Sequence, residues 1–168
     1  MKYIRQLIAL LMTVLLLCPA AAEQADPAAA YEAAMALYEA ENFEEAIPAF
    51  EALGSYKDSQ KMLANSKWYW QEQRYDAALK LYKAESYAQA QLLFEELGSF
   101  QESRKYVNKC IAAIEAQNYN QANALFESEQ YAEALARYQQ LGGYQNSKSR
   151  VAEIETIFAA QKQAAYEL

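Results

Sequence analysis

From residue 31 onward, apolar residues recur at steps of three and four, first over one stretch and then over a second. Tyr31, Ala34, Leu37 and Tyr38 are followed by Phe43, Ala46 and Phe50. Tyr75, Ala78, Leu81 and Tyr82 lead to Tyr87, Ala90 and Phe94, and Tyr119, Ala122, Leu125 and Phe126 lead to Tyr131, Ala134 and Tyr138. Such steps put the apolar residues on one face of a helix, so each set predicts two helices. Between them, Glu41-Asn42, Glu85-Ser86 and Glu129-Gln130 make tight connections. Asn42 and Ser86 are good N-caps with Glu45 and Gln89 three residues on, as a capping box requires, whereas Gln130 is a poor cap.

The second helices end at Leu53, Leu97 and Leu141, each followed by a glycine suited to a left-handed helix end. Ser55 and Ser99 precede Asp58 and Glu102 by three residues, again like a capping box. No Gly or Pro interrupts the chain from there to the next tight connection. The apolar column continues through Leu63 and Trp70 to Ala78, and through Val107, Cys110 and Ile114 to Ala122. The pattern therefore predicts long helices over 56–85 and 100–129, alternating with short ones over 43–53, 87–97 and 131–141. A break near Arg74 or Asn118 is the alternative, and Pro48 should remove one hydrogen bond from the first short helix. Residues 144–165 read as a closing helix.

The pattern has a period of 44 residues, set by Gly54, Gly98 and Gly142 and matched by Ser59, Ser103 and Ser147. Two columns are alanine throughout: Ala34, Ala78 and Ala122 on the first helix, Ala46, Ala90 and Ala134 on the second. Small residues there let paired helices approach closely. Self-similarity at 20–50 residues is the mark of a solenoid, whose units bury their apolar faces on their neighbours.

With its small residues at the helix contact and aromatics around them, the unit resembles the tetratricopeptide repeat. The element from Leu53 to Ser59, repeated from Leu97 to Ser103, resembles a variant common in exported and envelope proteins of Gram-positive bacteria. The resemblance implies an all-α, right-handed solenoid of about seven helices. It forms a single domain over 23–168, with repeats at about 31–74, 75–118 and 119–162. Three features depart from the family: a period of 44 rather than roughly 34, Leu-Gly in place of the usual proline, and Pro48 within a helix. In the family the first helix of each repeat lines a concave groove that holds peptides. By resemblance Tyr31, Tyr38, Tyr75, Tyr82, Tyr119 and Phe126 would line it, while the residue types alone equally fit packing between helices. The groove does not resemble the kind that clamps acidic peptide tails, since tyrosines stand where Lys or Asn would be needed.

Composition changes the picture at the N-terminus. A short cationic start with Lys2 and Arg5, an apolar run from Leu7 to Cys18, Pro19, and Ala20, Ala21 and Ala22 match a secretory signal peptide cleaved after Ala22. Twelve residues are too few to span a bilayer, which takes roughly 20. Lipid attachment at Cys18 is the competing reading, weakened by Leu17 where a lipobox wants a small residue. Removing residues 1–22 leaves 22 acids against 13 bases, a net charge of −9. That charge disfavours nucleic acid and suits a neutral or basic partner.

Candidate chemistry is sparse. With no histidine, the usual general base and commonest metal ligand are missing. Cys110 would be the one thiol of the exported chain, and its apolar column marks it as a buried hydrophobe. Neither a phosphate loop nor a metal-ligand spacing stands out, so no cofactor or metal is expected. Paired carboxylates such as Glu44-Glu45 and Glu95-Glu96 could in principle serve glycoside hydrolysis, and on such helices they read as solvated faces. The expectation is a non-catalytic module outside the cytoplasm, binding a protein or peptide. Its rivals are a structural piece of an envelope assembly and a glycan-processing enzyme. Trp68 and Trp70 flank the middle of the first long helix; periodicity puts Trp70 in the core, and an exposed tryptophan would hint at self-association.

Overall fold

A computed structural model describes residues 26–167, so the cleavage site after Ala22 and Cys18 lie outside the described residues. Those residues are all-α: seven helices and no strand. They are α1 (Pro27–Glu39), α2 (Phe43–Leu53), α3 (Ser59–Lys83), α4 (Tyr87–Leu97), α5 (Ser103–Glu127), α6 (Tyr131–Leu141) and α7 (Ser147–Tyr166). None is long and apolar enough to cross a membrane. The three short helices α2, α4 and α6 have the bounds their apolar spacing predicts. Helices α3 and α5 are continuous past Arg74 and Asn118, and 25 residues of helix span about 37 Å. Pro48 sits on the exposed side of α2, which continues through it.

The first helix is started by Asp26, whose carboxylate accepts from the Ala28 amide at 3.0 Å, with Pro27 at the first helical position. Helices α1, α3 and α5 all stop in the same way. In the first connection the Asn42 amide donates to the Leu37 carbonyl and the Glu41 amide to that of Tyr38. The same two bonds join Ser86 to Leu81 and Glu85 to Tyr82, then Gln130 to Leu125 and Glu129 to Phe126. This is the Schellman arrangement, but a glutamate holds the left-handed position, at φ between 57° and 60° in Glu41, Glu85 and Glu129. Asn42, Ser86 and Gln130 do precede α2, α4 and α6, yet none makes a side-chain capping bond. The capping boxes expected there do not form.

The turns after α2, α4 and α6 also depart from expectation. Gly54, Gly98 and Gly142 have positive φ, as the spacing suggests, but ψ of −117°, −106° and −108°. That is the mirror image of extended backbone, not the left-handed helix, and only glycine adopts it without strain. A methyl group there would meet nothing within 4 Å, so backbone conformation alone demands the glycine. Beyond it, the Ser59, Ser103 and Ser147 hydroxyls, all buried, donate to the carbonyls of Tyr56, Phe100 and Tyr144 at 2.6–2.7 Å. The serines at 55 and 99 do not cap the next helix, which starts three residues later than the pattern suggested.

The chain divides into two compact units, Met1–Trp70 and Gln71–Leu168, with the boundary inside α3. In the first, Ala34, Ala46 and Phe50 are fully buried beside Met62. The second has two cores. One gathers Tyr75, Ala78, Ala90, Phe94, Leu97 and Cys110; the other gathers Tyr119, Ala122, Ala134, Tyr138 and Ile154. Each core thus holds one alanine from either helix of a pair and one fully buried ring, and all six alanines have zero exposure. The alanines leave room at the helix contact for the ring beside it.

Ser66, Cys110 and Ile154 stand 44 residues apart and are all fully buried. The Ser66 hydroxyl is satisfied by the Met62 carbonyl at 2.8 Å. Cys110 is a free thiol whose pKa is pushed up by burial. Both inaccessibility and the scarcity of thiolate slow attack on disulfide reagents. Cys110 is therefore expected to react with a chromogenic disulfide only as fast as the fold opens, and at once in denaturant. A native-state rate equal to that of a free thiol would contradict the buried placement.

Candidate partner-binding face

The six rings expected to line a groove are placed mainly by contacts with other rings. In the first unit Tyr31 meets Phe50 and Tyr56 edge to face at 6.2 and 6.0 Å, and Tyr38 meets Phe43, Phe50 and Tyr69. In the second, Tyr75 packs on Phe94, Phe100 and Tyr106, and Tyr119 on Tyr138 and Tyr144. Tyr82 meets Tyr87 and Tyr106, and Phe126 meets Tyr131. Tyr75 and Tyr119 retain only 7% and 9% exposure. For these two the surface role is corrected: their rings fill the cores, because the alanines beside them leave that space open.

Tyr31, Tyr38, Tyr82 and Phe126 are half-buried. The chain's own cations stand over two of them. Lys57 Nζ lies 4.3 Å from the Tyr31 ring centre, and the Arg150 guanidinium 4.4 Å from that of Phe126. Tyr38 and Tyr82 keep part of a ring toward solvent. Burial, the largest cause, raises the hydroxyl pKa of Tyr38, Tyr75 and Tyr138 above the ordinary phenol value.

The hydroxyls of the first rings have a repeated task. Tyr31 donates to Asp58 Oδ1, and Tyr119, 88 residues on, donates to Asn146 Oδ1. Each bond ties a first helix to the turn that opens a later one, α3 or α7. The bond to Asp58, followed by burial and the charges of Asp58 and Glu32, pushes the Tyr31 hydroxyl from 10.0 up to about 12. The folded value lies above the unfolded one, so the stability this contact adds is intact below pH 10.0 and lost as pH rises toward about 12. Among the late-ionising tyrosines, ultraviolet titration should show one whose transition moves down toward 10.0 in Asp58→Asn. An unchanged curve would remove Asp58 as the cause.

Other surface features add little chemistry. The Glu44-Glu45 and Glu95-Glu96 carboxylates are exposed, as the pattern suggested. Glu96 is paired with Arg74 at 3.0 Å, and Glu95 accepts from the Gln91 amide. Among the described residues no group of His, Cys, Asp or Glu is arranged to hold a metal ion. An open groove of about 620 Å³ lies between the start of α1 and the end of α2, lined by Pro27, Ala30, Ala49, Ala52, Leu53 and Tyr56 among others. One period on, Ala30 and Ala52 correspond to Arg74 and Glu96, the two partners of that ion pair.

Sequence reasoning raised an exposed tryptophan on the first long helix but not the aromatic pair it forms. Trp68 and Tyr69 on α3 are 50% and 42% exposed, and they meet edge to face with centres 5.0 Å apart. Tyr69 stacks on Phe43 at 5.2 Å and 19° between planes. The available signal was comparison along the period, since Ala112 and Ala113 stand where Trp68 and Tyr69 would recur. No family model matches this chain, nor does any curated protein or solved structure.

Proposed function

We propose that the chain is an exported, non-catalytic interaction module of the tetratricopeptide type, a right-handed helical solenoid that binds a protein or peptide. The observation that carries this reading is the threefold recurrence of one packing device. Every 44 residues, a helix pair joined by a left-handed glutamate closes over two fully buried alanines and ends in a mirror-extended glycine. A device repeated at fixed spacing builds extended surface, and extended surface suits recognition of a chain or a protein face. In this reading the half-buried rings Tyr38, in the first unit, and Tyr82, in the second, each contribute recognition surface, while Tyr75 and Tyr119 hold the helices of the second unit together. Export rests on the N-terminal pattern ending at Ala22.

The test is affinity capture from culture-supernatant and envelope fractions with residues 23–168 as bait. The expected result is one protein enriched in near-equal amount that binds again after purification. No enrichment, or release of sugar from cell-wall glycan by the bait alone, would overturn the reading. The mass of the N-terminus isolated from cells decides export separately, since a chain beginning at Glu23 has lost Cys18 and cannot be lipid-anchored there.

A further inference from the structure

The groove between the start of α1 and the end of α2 is opened by side-chain choice in the first repeat. Pro27, Ala30, Ala49 and Ala52 line it. Gln71, Arg74, Leu93 and Glu96 hold those positions one period on, and Glu115, Asn118, Arg137 and Gln140 two periods on. Short apolar residues thus replace longer and, Leu93 apart, polar ones. Of the residues lining the groove Lys57 alone is charged, and its ammonium is engaged: it lies 3.7 Å from Glu32 and over the rings of Tyr31 and Tyr56. A charged guest would lose its water there and gain no free partner. The groove suits an uncharged, apolar one.

The chain carries such a guest on α7. Residues 159–166 keep the register that residues 115–122 keep in α5, where Tyr119 and Ala122 lie in a core with Ala134 and Tyr138 of α6. In α7 every residue from 159 to 166 is exposed. Gln163 stands in place of the tyrosine, and Tyr166 in place of the alanine. A ring in the alanine column overfills the close helix contact, so this stretch projects instead of packing. Tyr166 is 76% exposed, beside Ala164 and Ala165, and Lys162 is the one charge between 159 and 166. An exposed ring on a nearly neutral, alanine-rich helix is the complement of a groove floored with alanine and holding no free charge.

We propose that the last two turns of α7, led by Tyr166, dock in the Pro27–Ala30–Ala49–Ala52 groove of a second copy, so that the protein associates head to tail. This contact goes beyond the partner recognition proposed above and does not depend on it. It joins unlike surfaces, so it needs an intact groove on one copy and an intact tail on the other. One ring and two helical turns bury less than the roughly 1,200 Å² of a stable interface, so association is weak and shows at high concentration. Exported copies at −9 repel one another while the contact holds no ion pair, so salt strengthens association by screening.

Sedimentation equilibrium of residues 23–168, at up to about 1 mM, tests this. The average mass should rise with concentration, and rise further as salt goes from about 0.05 to 0.5 M. Ala30→Arg/Ala52→Glu blocks the groove with the pair found at Arg74 and Glu96, and Tyr166→Glu blocks the tail. Each alone should weaken association about tenfold or more. An equal mixture of the two should form a one-to-one complex with wild-type affinity, since one variant supplies the tail and the other the groove. Ala49→Arg, the residue found at Arg137, is a second groove block if circular dichroism shows the first to be misfolded. Gln139→Glu, an equal charge change at an exposed site where Glu95 stands one period earlier, should associate like wild type. A single-chain mass at every concentration would overturn the proposal, as would blocked variants that associate like wild type or a mixture that stays apart. Association that weakens with salt would overturn it by assigning the contact to charges. A chain that stays monomeric and captures a protein that Ala30→Arg/Ala52→Glu loses would overturn it too, giving the groove to that partner.

Discussion

Phe94→Ala is expected to lower stability by about 3–5 kcal/mol, the range for removing a fully buried aromatic ring. Phe94 has zero exposure and lies stacked against Tyr106 at 4.9 Å and edge-on to Tyr75 at 5.6 Å. Its loss uncovers both rings at once, in a core whose other members are Ala78, Ala90, Leu97 and Cys110. Two alanines and a cysteine cannot expand to close the gap, so most of the cavity should persist. A domain has only about 5–15 kcal/mol in total, so the expected loss is a large share of it. Urea denaturation followed by circular dichroism reads the result. A shift equivalent to less than about 1.5 kcal/mol would mean that α4 and α5 collapse onto each other freely.

The second large effect comes from adding volume. Ala134→Leu places a branched side chain where α6 meets Ala122 of α5, and both alanines are fully buried. Overpacking of this kind costs about 1–3 kcal/mol, and more where neighbours cannot move. Here the neighbours are Tyr119, Tyr138 and Ile154, and the Tyr138 hydroxyl is anchored to Asn123 at 2.6 Å. The comparison is Ala136→Leu, two residues on and exposed, which should change stability by no more than about 0.5 kcal/mol. Equal effects at the two positions would show that helix proximity does not select alanine.

Much of the fold was legible because the same constraint is written three times. The bounds of α2, α4 and α6 and the burial of six alanines follow from spacing and side-chain size, and both survive in a single sequence. The ends of the long helices were less legible. A serine three residues before an acid reads as a capping box, yet Ser55 lies in a turn and it is Ser59 whose hydroxyl closes on a carbonyl. Nothing in Glu41, Glu85 or Glu129 announces a positive φ, because the conformation is imposed by the two backbone bonds around it.

The candidate face was least legible, and the reason is chemical. A tyrosine has an apolar body and a polar tip, so spacing alone cannot say whether Tyr75 packs or projects. The alanine beside it decides, and only in three dimensions. Trp68 and Tyr69 were obscured differently: they share a stretch of α3 with Trp70, and helical periodicity reports which face is inside, not how far a ring on the other face stands clear.

The left-handed corners also matter for engineering. Glu85, Glu129, Gln101 and Gln145 hold φ between 46° and 60° without being glycine. Such a conformation costs a side-chain-bearing residue roughly 1–2 kcal/mol. Glycine at any of them should return about 0.5–1 kcal/mol after its own chain entropy is counted. Lys57 is the corner to spare, since its ammonium covers Tyr31 and reaches Glu32. Well-separated changes of this sort add. Thermal resistance can therefore be raised in small steps at the bends, leaving every helix face as it is, so that robustness and recognition become separate dials on the same chain.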